Sequence, residues 1–217
     1  MKLVAAALYP TSSLPDTQLL RIAEAMSKGE RARVIAATIG DRKNRRHRPG
    51  RAMERSMYRF DVLCDYGAFR DLQRHRMLTI DWQELTTHHG QDVPHDLTDA
   101  SLDVSWDRAM TEAAALHDTL EASAGPTVAQ YVVPFGFKIR FVIEMNAREA
   151  FHLLELRSQP AGHSGYRAVA QEMHRQIGEV AGHHLIADAM RYVDYSQPDL
   201  ERLEGERRAE QRRNPAP

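Results

Sequence analysis

Cysteine is almost missing from this chain. Cys64 is the only one in 217 residues, so no disulfide can form within it and a reducing compartment suits it. With Val62, Leu63 and Tyr66 around it, the thiol reads as a buried, inert group rather than a nucleophile. Long apolar runs are missing too: none approaches the roughly 18 residues that a membrane span requires. The apolar opening, Leu3 to Tyr9, is short, follows a single Lys2 and stops at Pro10, so it reads as a strand or loop rather than a signal peptide. Neither sign of charge dominates. The 29 Lys and Arg against 30 Asp and Glu leave a formal charge of -1, which gives no general attraction to nucleic acid or membrane. Glycine-rich phosphate loops do not occur, since Gly162-His163-Ser164-Gly165 is too short to be one. Nothing around Ser164 marks the strand-turn-helix elbow of a hydrolase. What remains, 42% hydrophobic, is a chain able to bury one sizeable core with a helical annex, expected in the cytoplasm.

Hydrophobic periodicity divides the chain into helices and strands. Asp16 is a candidate N-cap for a helix carrying Leu19, Leu20, Ile22 and Ala23, which breaks near Gly29 and resumes to Gly40. Residues 41–50 are polar and basic and read as a loop. From Arg55 to Leu63, Tyr58, Phe60 and Val62 alternate with polar or exposed positions, the pattern of a half-buried strand. A helix is expected from about Tyr66 to Leu78, a loop from His88 to Pro94, and a helix from Ser105 to Ala122. Phe137, Ile139, Phe141 and Ile143 mark a second strand, and Asn146 with Glu149 three residues on opens a further helix. Pro160 to Gly165 is a turn, Tyr166 to Asp194 is mostly helical, and the charged stretch from Asp199 to Arg213 reads as a solvated, fraying helix. Helices outnumber strands. The expected fold is α+β, one domain over residues 1–198 followed by a charged tail over 199–217.

Two clusters carry the chemistry. Arg74-His75-Arg76 places three groups able to carry positive charge in one run. The helix opened by Asn146 holds Arg148, His152, Glu155 and Arg157, with the first three sharing a face at steps of four and three. Arg157 lies beside the apolar stripe, where a guanidinium is costly unless an anion meets it. Arginine's planar fork fits phosphate oxygens two at a time, so both clusters suit an anionic ligand. The plainer account makes Asn146 only a cap, pairs Arg148 with Glu144 or His152, and pairs Arg157 with Glu155 or with another subunit. Residues 42–51 hold six Lys or Arg in ten. They read as a solvated loop ahead of a phosphate-binding one, and no interleaved aromatic supports stacking on nucleic acid. The adjacent pairs His88-His89 and His183-His184 have no Cys or acidic set at recognisable spacing to complete a metal sphere, so no metal is expected.

The two clusters resemble the flavin-dependent thymidylate synthases (ThyX). That family carries Arg-His-Arg-x-x-Ser-x-Asn-x-x-Ser-x-Arg, then an Asn-x-Arg on a helix ending in Leu-Arg. Arg74-His75-Arg76 matches the opening triplet, with Thr79 and Asp81 standing for the first serine and the asparagine. Asn146, Arg148 and Arg157 fall on the later positions, and His152 stands where the family often has asparagine. The resemblance implies a ThyX-like fold, a mixed antiparallel sheet flanked by helices. It also implies FAD held by Arg74, His75, Arg76, Asn146, Arg148 and His152, with Arg157 polarising the pyrimidine of a nucleotide substrate. NADPH would be the reductant and methylenetetrahydrofolate the carbon donor for methylation of dUMP. A homo-oligomer, a homotetramer as in the family, or pairing with a related domain is implied in turn.

The sequence departs from the family at Glu84, where the second serine belongs, and at Thr86, where the closing arginine belongs. Gln130 replaces an arginine, Arg55 replaces a histidine, and Gly162 to Arg167 replaces Ser-His-Ala-Gln-Trp-Glu. Glu84 and Gln130 thus join Arg157 as the substrate-facing positions, and an acid among them would repel an anionic nucleotide. A degenerate relative that keeps the fold for binding or scaffolding is the alternative these departures suggest.

Overall fold

The structure, a computed structural model, describes residues 1–196 together with Arg207 and Glu210. Most of the charged tail expected as a fraying helix lies outside the described residues. Among them are ten α-helices and three strands, the strands forming one antiparallel sheet in the order β1-β3-β2. The α+β fold and the excess of helix are as the sequence predicts. By their internal contacts the residues fall into two compact units, one of residues 1–60, 77–79 and 144–217, the other of 61–76 and 80–143.

The first unit begins with α1 (Lys2–Leu8), which corrects the expected strand or loop. Seven apolar residues cannot show which period they follow, and three alanines favour a helix. Leu3, Val4 and Ala5 of this helix are buried. Helix α2 (Asp16–Ala25) starts after Pro15, so Asp16 occupies its first turn instead of capping it. The break falls at Met26-Ser27, earlier than Gly29, because Ser27 and Glu30 close a capping box at the start of α3 (Lys28–Ile39). Gly40 ends α3 at φ +72°, a conformation that side chains with a Cβ adopt reluctantly.

Strand β1 (Met57–Asp65) buries Tyr58, Phe60, Val62 and Cys64 in strict alternation, as its pattern predicts. Asp65 then accepts a hydrogen bond from Ala68 N at 2.7 Å and starts α4 (Tyr66–Leu72). This helix stops six residues short of the expected Leu78. Leu78 to Trp82 instead form β2, because pairing beside β3 outweighs the helical pattern, and Arg74-His75-Arg76 occupies the link. Helices α5 (His95–Asp99), α6 (Asp103–Ala124) and α7 (Pro126–Ala129) follow. Strand β3 (Lys138–Asn146) buries Ile139, Phe141, Ile143 and Met145. In the second unit Phe69 packs on Phe141 and Trp82, at 4.9 and 5.6 Å between centroids, and Tyr66 meets Phe135 edge-on at 5.0 Å.

Back in the first unit, Asn146 accepts a hydrogen bond from Glu149 N at 2.9 Å and opens α8 (Ala147–Arg157) as expected. Helix α9 (Ser164–Glu179), capped by His163, ends before Gly182 at φ +66°, and α10 (His184–Ala187) is a single turn. The helical stretch predicted from Tyr166 to Asp194 is therefore interrupted after Glu179.

The packing of α8 depends on an ion pair. Arg42 and Glu155 are 3% and 0% exposed, and the guanidinium meets the carboxylate through two hydrogen bonds, one of them Nη1 to Oε1 at 2.7 Å. Arg42 also donates to the carbonyls of His47 and Ala189, at 2.6 and 3.1 Å, and lies over the rings of Phe151 and Tyr192. The loop over 41–50 is thus partly anchored in the core, which corrects its reading as a solvated segment. Removing one member leaves the other buried without its countercharge. Arg42→Met is expected to destabilise the protein by roughly 3–5 kcal/mol, and Arg42→Met with Glu155→Met by less than the sum of the single changes. Urea denaturation of the three variants checks both.

Candidate functional site

In the second unit, Arg74 is exposed and reaches Asp71 Oδ1 at 3.4 Å, one turn back, a contact worth little in water. His75 is buried, its backbone N–H closing a turn on Leu72 O at 3.2 Å, while Arg76 is exposed. The triplet thus offers two cations to solvent with an imidazole held between them. Glu84 is exposed beyond β2. Gln130 does structural duty, its Oε1 accepting a hydrogen bond from Leu85 N at 3.0 Å, which leaves its amide N–H groups and one lone pair of the oxygen for a ligand. Thr86 Oγ1 is likewise engaged, by His88 N at 3.1 Å.

In the first unit, the residues of α8 divide in a way the expected shared face does not anticipate. Arg148 is half-buried, His152 exposed and Glu155 fully buried. Arg148 Nε donates to Pro49 O at 3.0 Å and Nη1 reaches Glu54 at 3.4 Å, so it fastens residues 49–54. Glu155, expected beside Arg157, belongs to Arg42. Arg157 lies half-buried with its guanidinium 5.3 Å from the Tyr166 ring centroid. The Asn146 carboxamide oxygen is committed to the helix cap.

Sequence reasoning missed two features of this unit. Arg167 is 2% exposed and donates to Ser158 O and Ser196 O, at 2.9 and 3.0 Å, although nothing in its local pattern distinguishes it from a surface arginine. A cavity of about 720 Å³ is lined by Lys2, Lys28, Arg31, Arg55, His183 and His184 together with apolar residues and no carboxylate. Its charge suits an anion and its size a small ligand. None of the nine residues assigned from the resemblance lines it. The lysine, arginine and histidine side chains come from four separate stretches, which is why no local pattern revealed them.

Comparison with known proteins supplies what geometry alone does not. The family described as "Thymidylate synthase complementing protein" matches residues 2–182. The chain belongs to this family. A "UPF0159 protein" of Chlamydia muridarum is 37% identical over 207 residues, 95% of this chain and 39% of the relative. Another from Thermoplasma acidophilum is 36% identical over 206 residues, 94% of this chain and 41% of the relative. The chain therefore spans about two fifths of the length of the curated relatives it matches. Among solved structures, the UMP/dUMP methylase PolB of Streptomyces cacaoi, bound with 5-Br dUMP, superposes with a TM-score of 0.64. The match covers 88% of this chain and 90% of PolB at 17% identity, a likeness of fold. The ThyX resemblance drawn from the two arginine clusters thus stands as family membership.

Within this family member, Cys64 is a buried, free thiol. Burial, aided by the neighbouring Asp65 carboxylate, pushes its thiol up to about 12, so thiolate is scarce at any working pH. No helix among the described residues is long and apolar enough to cross a membrane. Native protein at pH 8 is expected to resist a thiol-reactive disulfide reagent, with one thiol titrating only after denaturation. The absorbance released by the reagent measures this directly.

Proposed function

We propose that this chain binds FAD and carries out a ThyX-type reductive methylation of dUMP, or of a nucleotide close to it, in the cytoplasm. NADPH is the reductant and methylenetetrahydrofolate the carbon donor in this reading. The observation that carries it is the family match over residues 2–182, which runs through both arginine clusters. The donors present fit an anionic cofactor: Arg74 and Arg76 are exposed, His152 is exposed, and Asn146 keeps an amide donor beyond its cap. Arg74, His75, Arg76, Asn146, Arg148 and His152 are assigned flavin contacts.

When bound, the flavin supplies the hydride. The protein's part is to bind and orient. Arg157, kept over Tyr166, is assigned the pyrimidine, where a fixed cation favours negative charge developing on the ring. Glu84 and Gln130 are assigned the remaining substrate contacts, and Glu84 argues for a substrate less anionic at that point than dUMP. The assembly is a homo-oligomer, a homotetramer as in the family, or a pairing with a related domain, which the greater length of the relatives would accommodate.

A second reading makes the chain a degenerate family member that binds or scaffolds without turnover. The commitment of Gln130 to Leu85, together with the acid at Glu84, favours it. The visible spectrum after FAD addition and gel filtration separates the two. A retained flavin band is expected, and a colourless protein would favour the scaffold. Arg157→Ala is expected to keep the flavin band while weakening dUMP binding about ten- to a hundredfold, measured by calorimetry. Unchanged nucleotide affinity would remove Arg157 from its role.

A further inference from the structure

Four side chains in the second unit converge without serving any role assigned above. His117, Asp118 and Glu121 lie on α6, and His88 comes from the loop after β2. Each presents one ligating atom, and all four atoms lie within 4.8 Å of one another. His117 Nδ1 is 3.3 Å from Asp118 Oδ1, and His88 Nε2 is 3.6 Å from the same oxygen. The two imidazoles meet edge to face, with centroids 5.5 Å apart and planes at 83°. Ligands about 2.0–2.1 Å from a tetrahedral metal ion stand about 3.3–3.4 Å apart, so two of these spacings are near that already.

The site is also held in place. His117 is 1% exposed, and its four-residue step to Glu121 puts both on one side of α6. The loop carrying His88 is fixed at several points: Gln130 Oε1 accepts from Leu85 N at 3.0 Å, and Thr86 Oγ1 accepts from His88 N at 3.1 Å. Gly90 O accepts from Lys138 N at 2.9 Å, and Gln91 bridges to Phe137. Little backbone movement is then needed to close the four ligands on an ion, and the exposed His88 and Asp118 supply the adjustment by side-chain rotation.

We propose that His88, His117, Asp118 and Glu121 form a divalent transition-metal site that fastens the His88 loop to α6. Imidazole and carboxylate ligands suit Zn²⁺ and its neighbours in the first row, and two carboxylates balance the charge of a divalent ion. Neither the adjacent pair His88-His89 nor the spacing of α6 shows this in the sequence, because the ligands come together only when the loop meets the helix.

The test titrates the full, untagged chain with Zn²⁺ in competition with a chromophoric chelator, after dialysis to remove metal. One equivalent is expected, with an affinity that falls at least about tenfold in His88→Ala and in Glu121→Gln. Both changes avoid the buried His117, whose loss risks the fold itself. Co²⁺-loaded protein is expected to show the visible bands of a tetrahedral ion, and both variants to lose them. Zn²⁺ is also expected to raise the melting temperature of the parent protein and not that of the variants. An absence of competitive binding overturns the proposal. So does binding that survives both changes and disappears in His183→Ala with His184→Ala, which would place the ion elsewhere.

Discussion

A charge taken out of water must find its opposite within reach, and the buried pair of Arg42 with Glu155 meets that requirement in the first unit. Glu155 lies among Phe151, Leu153 and Leu154 on the buried side of α8, where a carboxylate alone would cost several kcal/mol. Arg42 answers it from 113 residues away and gives its remaining donors to the carbonyls of Arg45, His47 and Ala189. Three stretches distant in sequence are thereby held by a single guanidinium. Arg148 extends the same principle at lower burial, binding Pro49 O and Glu54. The segment over 41–54, rich in positive charge, is thus partly a structural strap.

Local periodicity carried much of the fold. The alternations at Tyr58, Phe60 and Val62 and at Phe137, Ile139, Phe141 and Ile143 gave β1 and β3 because a strand with one buried face must repeat every second residue. Asn146 marked the start of α8 because capping is a local interaction. Periodicity failed where the signal was short or nonlocal. The short apolar run of α1 fits either period, and β2 exists because a neighbouring strand accepts it. The reach of a helical pattern beyond Leu72 was overruled by pairing that sequence alone does not display.

The candidate residues were legible as a set before their local partners were. Residue types and spacing at Arg74–Arg76 and Asn146–Arg157 led to the family that the comparison bears out. The pairing of those residues was not legible. Nothing near Glu155 in sequence indicates Arg42, and nothing near Gln130 indicates Leu85, because each partner is brought by the fold from a distant segment. The basic cavity over Lys28, Arg31 and Arg55 was hidden for the same reason. Family signatures record chemistry, while long-range contacts record the fold that carries it.

Asn146 closes β3 and caps α8, so strand and helix meet with no intervening loop. A joint of this kind has no slack. An inserted residue would either turn every buried side chain of β3 to the opposite face or rotate α8 by about a hundred degrees about its axis. The segment from Lys138 to Arg157 is therefore expected to vary by substitution and to keep its length. At Asn146 itself Asp, Ser or Thr, which accept from the helix N–H groups, leave the joint intact, and glycine weakens it only slightly. Loss of a ligand on changing Asn146 to alanine would accordingly report on architecture as much as on contact.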